Sequence, residues 1–213
     1  MTGLHYRPIE RKDYTVIGEI INEAFGLYRY MGDSKLLENV KQQYVYSCLS
    51  EATYTCVAEQ NGEVIGVIMG NAKLDYKFFR HLPAVCGTAW YSLKLTLFGR
   101  KFRANIRDYQ NLHKVYHAFS QKHKGEFDGI LTLFAVRESC RGLGIGKELL
   151  NGLLQYLRNQ GTHRIYLYTD DTCNTGFYEY HGFERLEKQP LTMIRDGKSF
   201  GMNIFLYGYL LDA

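Results

Sequence analysis

Two apolar rhythms alternate along the chain. Leu4 to Ile9 reads as a first strand. Asp13 then stands at the N-cap of a helix whose apolar residues Val16, Ile17, Ile20, Ile21, Ala24 and Phe25 recur at three- and four-residue spacing, and Gly26 closes it. A second helix starts near Asp33-Ser34 and carries Leu36, Leu37, Val40, Tyr44, Val45, Cys48 and Leu49 at the same spacing. The aromatic stretch Leu27-Tyr28-Arg29-Tyr30 lies between the two. From Thr53 to Met69 β-branched and aromatic residues take over, divided by Asn61-Gly62, a dipeptide that tolerates the positive φ angles of a tight hairpin turn.

Residues 75 to 126 return to helical spacing, clearest in Phe102, Ile106, Tyr109, Leu112, Tyr116 and Phe119, and form a helical insertion between strands. Gly129 to Val136 is a nearly continuous apolar run, as a strand buried on both faces requires. A glycine-rich turn, Arg141 to Lys147, leads into a helix with Leu149, Leu150, Leu153, Leu154 and Leu157, closed by Gly161. Arg164 to Thr169 gives another strand, Asn174 to His181 a short helix ended by Gly182, and Phe183 to Glu187 and Gly201 to Leu210 the last strands. Strands and helices interleave throughout, which predicts a mixed α/β fold, and residues 1–213 read as one domain.

Composition narrows the class. With 46% apolar and 23% charged residues, the chain can build a core without disulfides or metals. The five scattered cysteines form no CxxC pair, and neither a signal-like opening nor a long apolar span is present; a cytoplasmic location and no membrane insertion are the expectations. The net charge of +4 conceals an asymmetry: residues 72–126 hold eleven Lys and Arg against Asp75, Asp108 and Glu126, or +8, so the remainder carries −4. A basic segment of this kind either presents a solvated helix face or attracts an anionic partner. No nucleic-acid motif accompanies Arg100-Lys101-Phe102-Arg103, so nucleic acid is not expected as a partner.

The three glycines of the turn sit between a buried strand and a helix. There, backbone N–H groups without neighbouring Cβ atoms can approach an anion, the helix dipole favours negative charge, and Arg141 adds a forked donor. Two common phosphate loops do not fit. A P-loop needs glycine where Arg141 stands and Ser or Thr where Glu148 stands; a dinucleotide fingerprint needs its third glycine at Lys147 or Leu149.

The pattern Val136-x-x-x-x-Arg141-Gly-x-Gly144-x-Gly146 resembles the acetyl-CoA signature of the GCN5-related N-acetyltransferase (GNAT) superfamily, and Tyr178-x-x-x-Gly182-Phe183 resembles its second motif. The resemblance covers nearly the whole chain except residues 75–126. It implies a GNAT fold, a central, mostly antiparallel twisted sheet flanked by helices. It also implies an acetyl-CoA-dependent transferase that passes an acetyl group to a primary amine of a small molecule or peptide through a tetrahedral intermediate. The family's site would be carried by Phe134, Ala135 and Val136 along the pantetheine arm, by Arg141, Gly142, Leu143, Gly144, Ile145, Gly146 and Lys147 around the pyrophosphate, and by Tyr178 as the acid that protonates the leaving thiolate. Asn174 is left between capping its helix and bonding the cofactor arm, while Tyr180 packs.

The general base is unassigned, because Ile130 stands where some relatives carry glutamate; Glu126 and Asp128 lie just upstream. A non-catalytic acetyl-CoA-binding module is the competing reading. His113 and His117 share a helix face at metal-ligand spacing, but Lys114 stands where HExxH has glutamate and no third ligand is evident, so no metal is expected. The insertion has three places to bury its apolar row: as a wall beside the acceptor cleft, favouring an anionic acceptor; against a second subunit, giving a homodimer; or on the domain's own sheet.

Overall fold

The computed structural model describes residues 3–29, 34–98, 103–195 and 198–211. One sheet runs in the order β1-β2-β3-β4-β5-β7-β6, with β1 Leu4–Arg7, β2 Tyr54–Gln60, β3 Glu63–Ala72, β4 Gly129–Val136, β5 Arg164–Asp170, β6 Glu184–Arg195 and β7 Lys198–Leu210. Every neighbouring pair is antiparallel except β4 and β5. The helices are α1 Tyr14–Phe25, α2 Ser34–Glu51, α3 Phe78–Phe98, α4 Arg103–Lys122, α5 Ile145–Asn159 and α6 Thr175–Tyr180. The expected hairpin turn is present, with φ of 52° at Asn61 and 85° at Gly62.

The apolar run of β4 has a finer structure than a strand covered equally on two sides. Gly70 pairs with Leu131 and Met69 with Leu133, so Thr132 is the extra residue of a β-bulge. Because side chains alternate faces, that one residue turns the strand over. Leu131 packs with Leu149, Leu153 and Leu157 of α5, whereas Leu133 and Ala135 pack with Ile17, Ile20 and Ile21 of α1. Alternate residues are fully buried and the others partly covered.

Three expectations change. Asp13 precedes α1 as predicted, but its carboxylate does not cap the helix; it accepts two bonds from Arg7, at 2.6 and 2.9 Å, and one from the Glu10 N–H at 2.8 Å. A charged partner within reach outcompetes a neutral N–H for a buried carboxylate. The last two strands are longer than their sequence suggests, β6 continuing through Pro190 to Arg195. Since β6 lies at the sheet edge, a residue without an N–H can be accommodated there.

The third change concerns the insertion, which separates into two helices with different partners. From α4, Val115 and Phe119 are buried with Phe127, Met202, Ile204 and Leu206, and Tyr116 stacks on Tyr168 at 4.2 Å. This part of the insertion therefore covers the domain's own sheet, each buried side chain contributing about 1.5–3 kcal/mol. α3 instead lies along α2, where Gly87 permits close approach: an added Cβ would fall 2.2 Å from Tyr46 Cδ1. It leaves Phe79, Leu82, Cys86, Trp90, Leu93 and Leu97 exposed in one row. Arg100, Lys101 and Phe102 lie outside the described residues, as does Tyr30 of the aromatic loop.

Candidate active site

Parallel pairing between β4 and β5 lasts for two residue pairs, Gly129 with Ile165 and Ile130 with Tyr166. The bulge at Thr132 follows, and beyond it the strands part. Phe134, Ala135 and Val136 keep their pairing to β3, opposite Ile68, Val67 and Gly66, which leaves their backbone without a strand partner on the β5 side. An opening in mid-sheet is costly unless another group satisfies those N–H and C=O groups. Thr132 Oγ1 is also buried there without a hydrogen-bond partner among the described residues.

The glycine turn continues from the open end of β4. Gly142 and Gly144 have φ of 78° and 80°, a region closed to most side chains, and nothing lies within 4 Å of the position either Cβ would take. Gly144 is the N-cap of α5 and no side chain caps the helix. None of the backbone N–H groups from Gly142 to Lys147 meets an acceptor among the described residues. Six unpaired donors in succession, leading into a helix N-terminus, suit a phosphate group. Ile145 contributes only backbone to it, since its side chain is buried under α5. Arg141 is exposed and its Nε donates to Val136 O at 3.4 Å, while Lys147 is near enough to His181 to lower that imidazole's pKa, after burial. Gly146 has a different reason to be glycine, because an added Cβ would lie 3.2 Å from Phe134 Cζ and 3.4 Å from Phe177 Cε2.

Those two rings begin an aromatic box that holds Tyr178. Its ring contacts Phe134, Phe177, Phe183 and Tyr207, with centroid separations between 5.7 and 6.3 Å. The hydroxyl of Tyr207 is engaged, donating to Glu179 Oε1 at 2.6 Å and accepting from Arg185 Nε at 2.8 Å. No described residue hydrogen-bonds the hydroxyl of Tyr178. The ring is half-buried, and burial pushes the phenol well above the ordinary tyrosine value, with Cys173 and Asp170 adding to the effect. It therefore carries its proton at neutral pH.

Asn174 precedes α6, but its side chain makes no cap bond and is exposed. Tyr180, expected to pack, is instead 86% exposed. The upstream carboxylates have structural partners. Asp128 accepts from the backbone N–H groups of His163 and Arg164 at 2.9 and 2.8 Å, and Glu126 accepts from Arg164 at 3.0 Å. His117 faces Gln121, at 3.4 Å, and His113 meets Tyr116 edge-on. The bulge at Thr132 and the Tyr207–Glu179–Arg185 cluster were not legible in the sequence, since each joins residues brought together by strand pairing or by the return of α6 onto β7.

The same fold occurs in solved structures of low sequence identity. The ribosomal-protein-S18-alanine N-acetyltransferase from Escherichia coli superposes with a TM-score of 0.58 at 13% identity, covering 99% of this chain and 95% of the other. For yncA of Salmonella typhimurium, solved with its cofactor acetyl-CoA, the TM-score is 0.57 at 16% identity, covering 100% and 96%. The ribosomal-protein-alanine N-acetyltransferase from Brucella melitensis gives 0.55 at 16%, covering 97% and 99%. No curated protein sequence matches the chain. Residues 17–183, which include the bulged strand, the glycine turn and Tyr178, match the Acetyltransferase (GNAT) family, and the chain belongs to it.

Proposed function

We propose that this acetyltransferase moves the acetyl group of acetyl-CoA to a primary amine of a small molecule or peptide. The observation that carries the proposal is the row of unpaired N–H groups from Gly142 to Lys147, set beside the β4–β5 opening and next to the unbonded hydroxyl of Tyr178. The backbone of Phe134, Ala135 and Val136 has the free polar edge that a pantetheine amide needs. Gly142, Leu143, Gly144, Ile145, Gly146 and Lys147 would hold the pyrophosphate, with the terminal nitrogens of Arg141 on its outer oxygens. Asn174, unused as a cap, is available to the cofactor arm.

Attack of an amine on the thioester places negative charge on the carbonyl oxygen, and a fixed backbone N–H at the bulge would stabilise it in the transition state. Tyr178 donates its proton to the departing sulfur. The phenol is protonated at neutral pH, as that role requires.

Two finer elements belong to the same reading. The positive balance of residues 72–126 suits an acceptor that carries a carboxylate or phosphate near its amine. The exposed row of α3 has the three-and-four spacing of a coiled-coil seam, which can match itself across a twofold axis, and we assign it to a second copy of the chain. Among the described residues no helix is long and apolar enough to cross a membrane, and a cytoplasmic location completes the proposal.

Thiol release from acetyl-CoA, followed across a panel of alkylamines, amino acids and short peptides, tests the activity. An amine-dependent rate supports transfer. Tight acetyl-CoA binding without amine-dependent release would leave a binding module instead.

A further inference from the structure

A cleft of about 300 Å³ opens on the face of the sheet opposite α5, lined by Glu51, Asn71, Lys73, Tyr76 and Ile130. Ile130 belongs to the last β4–β5 pair before the strands part, and its neighbour Leu131 points to the α5 face, so Ile130 points away from it. The cleft thus meets the opening from the side opposite Tyr178, which packs with the α5 face. Among the described residues lining the cleft, Glu51, the last residue of α2, is the one carboxylate.

The end of α2 is held in an unusual way. An α-helix leaves its last four carbonyls without intrahelical partners, and here each is satisfied from another element or from the turn itself. Cys48 O accepts from the Ala52 N–H at 3.0 Å, Leu49 O meets His81 Nδ1 at 3.3 Å, Ser50 O accepts from Tyr76 at 3.1 Å, and Glu51 O accepts from Asn71 Nδ2. Three of these donors are side chains of β3, α3 and the segment between them. The backbone at Glu51 is therefore tied to β3, α3 and the segment between them by three bonds rather than left as a flexible helix end.

The placement is unfavourable for a merely solvated carboxylate. A negative group at a helix C-terminus opposes the macrodipole. The cation in the cleft, Lys73, is turned to Phe127 O. The other titratable groups around Glu51 are Tyr76 and His81 from the α3 side, Cys48 one turn back on α2, and Tyr166 on β5. Although Glu51 is exposed to solvent, the protein on its inner side pushes its carboxyl above the usual carboxylate range, and no cation among the described residues pulls it back. By contrast, Glu126 and Asp128 are committed to backbone or cationic partners.

We propose that Glu51 is the general base that deprotonates the acceptor amine in this cleft, the role for which Ile130 leaves no group on β4. The proposal rests on the acetyl-transfer reading above. Glu51 takes one proton from R–NH3⁺, and the freed lone pair forms the N–C bond while the carbonyl π pair moves onto oxygen. On collapse the C–S bond breaks, sulfur receives a proton from Tyr178, and the second nitrogen proton leaves to restore Tyr178. The products are R–NH–CO–CH3, CoA thiol and the proton held by Glu51, which passes to solvent. An alkylamine with a pKa near 10 is only about 0.1% neutral at pH 7, which makes such a base valuable.

The test uses the full chain and the primary amine that gives the fastest thiol release in the panel. Wild type shows an acid limb in kcat/KM and a plateau above it. Glu51→Gln lowers kcat/KM about 100-fold at pH 7, within the range for one acid–base group. In the variant the acid limb is replaced by a steady rise toward the amine's own pKa, while the acetyl-CoA Kd stays within twofold. Glu51→Asp keeps the limb. A Gln variant that retains the acid limb, or one that loses activity equally at every pH, overturns the assignment. If wild type releases thiol with no amine, the acetyl-transfer reading falls and Glu51 with it; if wild type is active and Glu51→Gln is unaffected, only the base is lost.

Discussion

Replacing Gly142 and Gly144 together by alanine isolates the glycine turn from the rest of the protein. Both residues have φ near 80°, so each alanine adopts a left-handed conformation costing about 1–2 kcal/mol. Nothing lies within 4 Å of either new methyl, so no clash adds to that cost. The folded variant should therefore lose roughly 2–4 kcal/mol in urea unfolding without ligand, as the sum of two such strains. If the pyrophosphate sits on this turn, the methyls would stand in its way, and a hydrogen bond to a charged group contributes about 1.5–3 kcal/mol. Losing one such bond to the pyrophosphate weakens the acetyl-CoA Kd about 10- to 150-fold, which titration calorimetry measures directly. Gly146 is the wrong choice for this experiment, since its added Cβ would push on Phe134 and Phe177 and so disturb Tyr178. A double alanine variant that unfolds cooperatively yet binds acetyl-CoA within twofold of wild type would refute the placement of the pyrophosphate.

Tyr178→Phe keeps the ring contacts and removes the proton, so kcat should fall about 10- to 1000-fold with acetyl-CoA affinity nearly intact; unchanged turnover would mean that the acid lies elsewhere. Because burial raises the Tyr178 phenol, wild-type activity should show no loss from its ionisation below about pH 10. Arg7→Met leaves Asp13, 3% exposed, without its cation, at a cost of about 3–5 kcal/mol at pH 7 in urea unfolding. Burial alone would raise the Asp13 carboxyl, but Arg7 and the Glu10 N–H hold it below the ordinary value. Its contribution is then complete above about pH 4 and is lost as pH falls through the depressed folded value, so the gap between Arg7→Met and wild type should narrow in acid; an equal gap at pH 7 and pH 3 counts against the ion pair. Finally, Trp90→Glu with Leu93→Glu should halve the mass seen by light scattering, whereas a wild-type monomer removes the dimer assignment.

Local chemistry settled much of this protein before folding was considered. The period of apolar residues placed α1, α2, β4 and α5, and Asn61-Gly62 set the β2–β3 hairpin, because these signals depend on neighbours within a few residues. The glycine turn and the Tyr178 motif were legible for the same reason, and residues 17–183 match the family they suggested. What the sequence could not convey were relations between distant segments. The bulge at Thr132 exists only in the register of β4 against β3, yet it turns Leu131 and Leu133 to opposite faces. The burial of α4 depended on which surface lay within reach, and β6 and β7 supplied it. Asp13 had a helix N–H beside it in sequence but Arg7 beside it in space, and charge decided between them. Glu51 lies 79 residues from Ile130 in sequence, and the two share a cleft only because β3, α2 and β4 are adjacent and three hydrogen bonds tie the end of α2 to β3, α3 and the segment between them.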